Sequence, residues 1–196
     1  MNGNVHRLLG ETLFVGRLQK RDLRAAAIWF ERAAHDDDRG LFYSAWCLER
    51  GRGVKANADK ARELYVESAS NGFALAEAWC SANRVHGFDL DNAAILDIYS
   101  EPVVEDDMCE RLFRPFLLGE AHEQGLYGLQ VDERAAIACF KIAASRGLVD
   151  AEQRLAVLPV ARSEEESAAA CSSAASAAIA LVAAASSALD FSELHL

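Results

Sequence analysis

The side chains best able to bind a metal or attack an electrophile are five cysteines and five histidines, and their spacing favours neither chemistry. Cys47, Cys80, Cys109, Cys139 and Cys171 are odd in number and far apart, with none of the CxxC pairs that a zinc site or a disulfide framework uses. His6, His35, His86, His122 and His195 are equally scattered. His122 and Glu123 adjoin, but neighbours on a helix point in different directions and make no acid/base pair. Asp36, Asp37 and Asp38 lack the alternating spacing and the glycine of a calcium loop, so they read as a solvated turn. Gly51-Arg52-Gly53 has no strand before it and cannot be a phosphate-cradling loop of the dinucleotide type. The chemistry-bearing residues therefore predict no enzyme, no metal and no cofactor.

What positions these residues is a repeated helical hairpin, clearest from Ser44 to Gly72. Leu48 precedes the break at Gly51-Arg52-Gly53, and Asn57 then offers a side-chain oxygen to open a second helix. In that helix Ala61, Leu64, Tyr65 and Ala69 form one apolar stripe, while Lys60, Arg62, Glu63 and Glu67 take the other face. Gly72 lies where a left-handed helix stop needs it. Upstream, Gly10, Gly16, Asp22, Ala25-Ala26, Trp29-Phe30 and Ala33-Ala34 fall at the same offsets, with Asp37 in the place of Gly72 as a residue tolerant of the left-handed region. Downstream, Gly87, Asp91, Ile98-Tyr99 and Asp106 are a worn copy. Gly119, Gly125, Gly128, Asp132, Ala135-Ala136, Cys139-Phe140 and Gly147 are a clear copy with one residue added in the turn. The turn glycines Gly16, Gly51, Gly87 and Gly125 recur at intervals of 35, 36 and 38 residues, the period of a stacked solenoid of helical hairpins.

On these residues the chain resembles the Sel-one-like repeats (SLR), relatives of the tetratricopeptide repeats, matched most fully at Gly51, Gly53, Val54, Lys60, Ala61, Tyr65, Ala69 and Gly72. The fold class is all-α: an α/α solenoid of about four helix-turn-helix repeats plus a C-terminal Ala/Ser-rich tail. The solenoid covers residues 1–158, with repeats at about 5–38, 39–73, 74–106 and 107–147 and a partial fifth at 148–158; the tail covers 159–196. The resemblance implies a scaffold or adaptor that binds a protein or peptide, and no shared catalytic residue.

In related solenoids the first helix of each hairpin lines the concave surface. The run from Leu41 to Leu48 holds too many large side chains for one packing stripe, so some of Phe42, Tyr43 and Trp46 are expected to face away from the core. Core filling competes with that reading for each of them. Trp79 extends the strip, with Arg50 and Arg84 flanking it. Between Tyr99 and Leu118 the repeat is interrupted by Pro102, the acidic Glu105-Asp106-Asp107 and Pro115. An extra turn capped by Asp107 would carry Met108, Leu112 and Phe113. Insertions of this kind often sit at a binding edge, which makes Phe113 a candidate contact, although repeat decay with these side chains filling the stack is the preferred account. The candidate partner-binding set is therefore Tyr43, Trp46, Arg50, Trp79, Arg84 and Phe113.

Hydrophobic residues make up 52% of the chain and charged ones 26%, ordinary for a soluble domain with a core. The formal charge is −10, and such an acidic domain repels phosphate backbones, so nucleic acid is not an expected partner. The N-terminal residues lack a secretory apolar run, and the cytoplasm is the expected compartment. Beyond Pro159, Ser163 to Glu166 reads as a capping box before an uncharged run from Ala168 to Leu189 with twelve alanines and five serines. Its length reaches that of a membrane span, but its small side chains and acidic flanks argue for a loosely docked or partly disordered tail. A membrane-tethered adaptor is the alternative to the cytosolic scaffold.

Overall fold

The computed structural model describes residues 3–16, 20–101 and 108–158, and among them there are nine α-helices and no strand. The helices pair in order: α1 (Gly3–Val15) with α2 (Leu23–Ala33), α3 (Asp38–Arg50) with α4 (Ala58–Ser70), α5 (Ala74–Ala82) with α6 (Asn92–Ser100), and α7 (Met108–Gln124) with α8 (Glu133–Ser145). A ninth, α9 (Val149–Val157), follows. The contacts divide the chain into one compact unit, Met1–Leu155, and a second, Ala156–Leu196, of which residues 156–158 are described. Asp107, the Ala/Ser-rich run 168–189 and the anchor reading attached to it lie outside the described residues.

The second helix of every hairpin opens the same way. Asp22, Asn57, Asp91 and Asp132 stand at the N-cap in extended backbone, each side chain accepting from a backbone N–H two or three residues on. Each such cap stabilises its helix by about 1 kcal/mol. Asp37 corrects the sequence reading: it is not a left-handed stop but the extended N-cap of α3, at φ −144°, accepting from Arg39 and Gly40. The acidic turn is thus occupied by capping, with Arg7 Nε also donating to Asp37 at 3.0 Å.

Within a hairpin, the first helix must let an aromatic ring of the second lie against its backbone. Gly10 does this for Phe30, and Gly119 for Phe140; a Cβ at either glycine would stand 2.5 Å and 2.6 Å from the ring. These glycines occupy equivalent positions in the first and fourth hairpins, which explains on packing grounds why the repeat has a small residue there.

The core is a run of aromatic contacts that crosses the hairpins. Phe14 meets Phe30 at 5.9 Å between centroids, and Phe30 stacks on Tyr43 at 4.4 Å. Phe113 then touches Phe42, Tyr43 and Trp46, while Phe116 joins Trp46 to Phe140. Phe42, Tyr43 and Trp46 are each 1% exposed, so the expectation that some of them face away from the core is overturned. The physical reason is α7. Its first turns, the insertion ahead of Pro115, carry Leu112 and Phe113 onto the inner side of α3, where both are fully buried. Of the two accounts of the interruption, filling the stack is the one the packing follows.

The compact unit also closes on itself. Arg52, in the turn of the second hairpin, donates to Asp150 at 2.6 Å and 3.1 Å and to Gln153 at 2.6 Å. Arg21, in the turn of the first, reaches Glu152 at 3.2 Å and the carbonyl of Gly147. Gly147 passes so near α1 that a Cβ there would lie 2.6 Å from Val15 Cγ1.

Candidate functional site

What remains open on the inner side of the helices is a recess of about 320 Å³. Its walls come from Trp46, Glu49 and Arg50 on α3, from Trp79 and Asn83 at the end of α5, and from Tyr99 on α6. Leu117, Glu120 and Gln124 on α7, with Leu126 and Tyr127 in the turn after it, complete the lining. Three of the six sequence candidates therefore converge here: Trp46, Arg50 and Trp79. Tyr43 and Phe113 are core residues with 1% and 0% exposure and present no surface. Arg84 does not flank the recess as expected; it is exposed in the turn after α5 at φ 54°, and its neighbour Asn83 lines the wall instead.

Arg50 is the electrostatic centre. Its Nη2 donates to both carboxylate oxygens of Glu120 at 3.2 Å, and its guanidinium lies over the rings of Trp46 at 4.3 Å and Phe116 at 5.1 Å. Burial would lower the Arg50 pKa, but Glu120, Asp150 and Glu49 outweigh it and hold the group firmly protonated. For Glu120 burial dominates and pushes its carboxyl above the usual range, with Arg50 opposing. Glu49 accepts from Tyr65 Oη at 3.0 Å and from Trp79 Nε1 at 3.2 Å, which orients Trp79, and Trp79 in turn stacks on Tyr65 at 4.1 Å. Burial, then Glu49, raises the Tyr65 phenol well above its ordinary value. The Trp46 Nε1–H is buried and finds no acceptor among the described residues.

Tyr99 and Tyr127 form the opposite wall, edge to face at 6.0 Å and joined by a hydrogen bond. Tyr127 has φ 56°, the left-handed region that glycine favours. Sequence reasoning missed Glu49, Glu120, Tyr99 and Tyr127. Only Tyr127 left a trace, in the residue added to the turn between Gly125 and Gly128.

Among the described residues no group of three or more His, Cys, Asp or Glu side chains could hold a metal ion, and no helix is long and apolar enough to cross a membrane.

Paired antiparallel helices with equivalent caps and glycines at a period near 35 residues define an α/α helical-repeat protein. The chain belongs to the Sel1 repeat family, whose repeat matches residues 6–38, 39–73 and 116–148. The unmatched stretch between them holds the worn third hairpin and the insertion. Sel1 repeats commonly mediate protein–protein interaction. No curated protein matches the chain. Similar solved structures include a protective antigen of uropathogenic Escherichia coli displaying an SLR fold, at 20% identity and a TM-score of 0.40 over 76% of this chain and 32% of the antigen. A Sel1 repeat protein from Oxalobacter formigenes has the same identity, TM-score and coverage of this chain, with 59% of its own length covered. The chain thus spans about a third and about three fifths of these two proteins.

Proposed function

We propose that the chain is a non-catalytic interaction scaffold that seats a segment of a partner protein in the recess between its second, third and fourth hairpins. The observation that supports this reading is the convergence of Trp46, Arg50 and Trp79 with Glu49 and Glu120 around one opening of about 320 Å³. Aromatic and arginine side chains anchor protein interfaces more than other types. The long concave aromatic strip has no part in this reading, because α7 fills it. The cytosol is taken as the place of action, and three free thiols, Cys47, Cys80 and Cys139, suit a reducing compartment.

The test is crosslinked co-purification from the native cell type with the full chain. Trp79→Ala and Leu126→Glu each change a lining residue, and Arg84→Ala changes an exposed residue outside the recess. Loss of the same partners with the two lining variants, while Arg84→Ala retains them and all three keep their helical circular dichroism, supports the proposal. Retention of every partner by both lining variants overturns it.

A further inference from the structure

The recess combines acidic and aromatic walls in a way that selects its guest. Glu49 and Glu120 face one cation, Arg50, so the lining carries one net negative charge. Arg50 is already committed, bidentate to Glu120 and stacked on two rings. The basic groups nearby are committed as well: Arg154 pairs with Glu123 at 2.6 Å, and Arg52 pairs with Asp150. An anion entering the recess would meet no unengaged donor of positive charge among these groups. A cation would meet the carboxylate of Glu49 and the rings of Trp79, Tyr99 and Tyr127, and aromatic faces attract cations most strongly where water is excluded. A volume of about 320 Å³ stands at the low end of ligand pockets, so it accommodates one long side chain and not a folded domain.

Tyr127 supplies a second, independent observation. A tyrosine held at φ 56° is strained where glycine would not be, and Gly125 and Gly128 on either side of it do adopt positive φ. The turn accepts that strain while placing the phenol against Tyr99 on the wall of the recess.

Resting on the reading of this recess as the partner's seat, we propose that it recognises a single basic side chain, lysine or arginine, of the partner polypeptide, with Glu49 supplying the counter-charge and Trp79, Tyr99 and Tyr127 the aromatic walls.

The experiment titrates the full chain with N-acetyl-arginine amide, N-acetyl-lysine amide, the neutral isostere N-acetyl-citrulline amide, and N-acetyl-glutamate amide, following the indole N–H resonances of Trp46 and Trp79 by NMR. The cationic probes should shift these resonances, with citrulline weaker by about tenfold and glutamate without effect. Glu49→Gln, which keeps an acceptor for Trp79 and Tyr65, should weaken the cations to the level of citrulline. Tyr127→Gly should weaken them too while leaving the melting temperature unchanged or higher, since glycine suits that φ. Equal binding of citrulline and arginine, tighter binding of glutamate, or no shift with either cation overturns the proposal. Failure here with partners still lost in Trp79→Ala would leave the scaffold reading standing. Cation binding with partners retained by both lining variants would overturn the scaffold reading alone.

Discussion

Phe113 lies with its ring 4.4 Å from that of Trp46, centroid to centroid, so the side chain that the insertion adds is the one that fills the inner side of the second hairpin. A groove that a longer array would offer to a partner is here occupied from within. Removing this ring tests how much of the fold rests on it. Phe113→Ala should destabilise the chain by about 3–5 kcal/mol, as for other fully buried phenylalanines, and Phe113→Leu by much less. Urea denaturation gives both values; a loss below about 1 kcal/mol for the alanine would show that α7 does not pack on α3 as described.

The matched glycines make a paired prediction. Gly10→Ala and Gly119→Ala each press a methyl against a buried phenylalanine ring, at 2.5 Å and 2.6 Å before relaxation. Each should cost about 1–3 kcal/mol despite alanine's better helix propensity. A stabilised Gly119→Ala would mean that the Phe140 ring moves freely.

Arg52 and Asp150 form a partly buried ion pair, with the aspartate side chain only 4% exposed. Arg52→Met strands that carboxylate and should cost about 3 kcal/mol or more, whereas Arg52→Met with Asp150→Asn should recover most of the loss. A double-mutant cycle by chemical denaturation reads the coupling directly.

The acidity of Glu120 gives a pH dependence. Burial raises its folded-state pKa above 4.5, so the folded chain binds more protons than the unfolded chain between 4.5 and the raised value. The stability that Glu120 contributes is present below 4.5 and is lost as pH rises through the folded pKa. Measured by urea melts from about pH 4 to 8, wild type minus Glu120→Gln should fall with pH and then level off. A rise instead would show that Arg50 outweighs burial.

Two thiols should be silent in the native state. Burial pushes Cys47 up to about 12 and Cys80 up to about 11, and both side chains are enclosed. At mildly alkaline pH iodoacetamide should modify Cys47 and Cys80 only after denaturation, with mass spectrometry of the peptides as readout. Rapid native labelling of either would contradict the packing around α3 and α5.

The hairpins were legible because their signals are local. Asn57 caps the helix it was assigned to, and Ala61, Tyr65 and Ala69 form the buried stripe their spacing predicts. The recess was legible only in part, because its two ends obey different rules. Trp46 and Arg50 are four apart on one helix and Trp79 sits in the equivalent helix of the next hairpin, so repeat alignment found them. Glu120, Tyr99 and Tyr127 arrive by long-range packing through the interruption, where the period fails. The same failure hid the burial of Tyr43: its hydroxyl donates to Glu11 at 3.1 Å and its ring faces Phe30 and Phe113, partners that no spacing within one repeat reveals. Asp37 misled because an aspartate suits a left-handed stop and an N-cap alike, and only the start of α3 right after it decides between them.

The contacts of Arg21 with Glu152 and of Arg52 with Asp150 bear on how the protein comes apart. An open array is nearly one-dimensional: each repeat leans on its neighbours, and melting frays inward from the ends. Here the first turns are tied to the last described helix, so neither terminus of the compact unit is a free end. Amide exchange in α1 and α9 should therefore proceed largely through the same global opening that exposes α3. Cutting the chain before α9 would loosen the first hairpin, which is farthest from it in sequence, as much as the fourth, which is nearest.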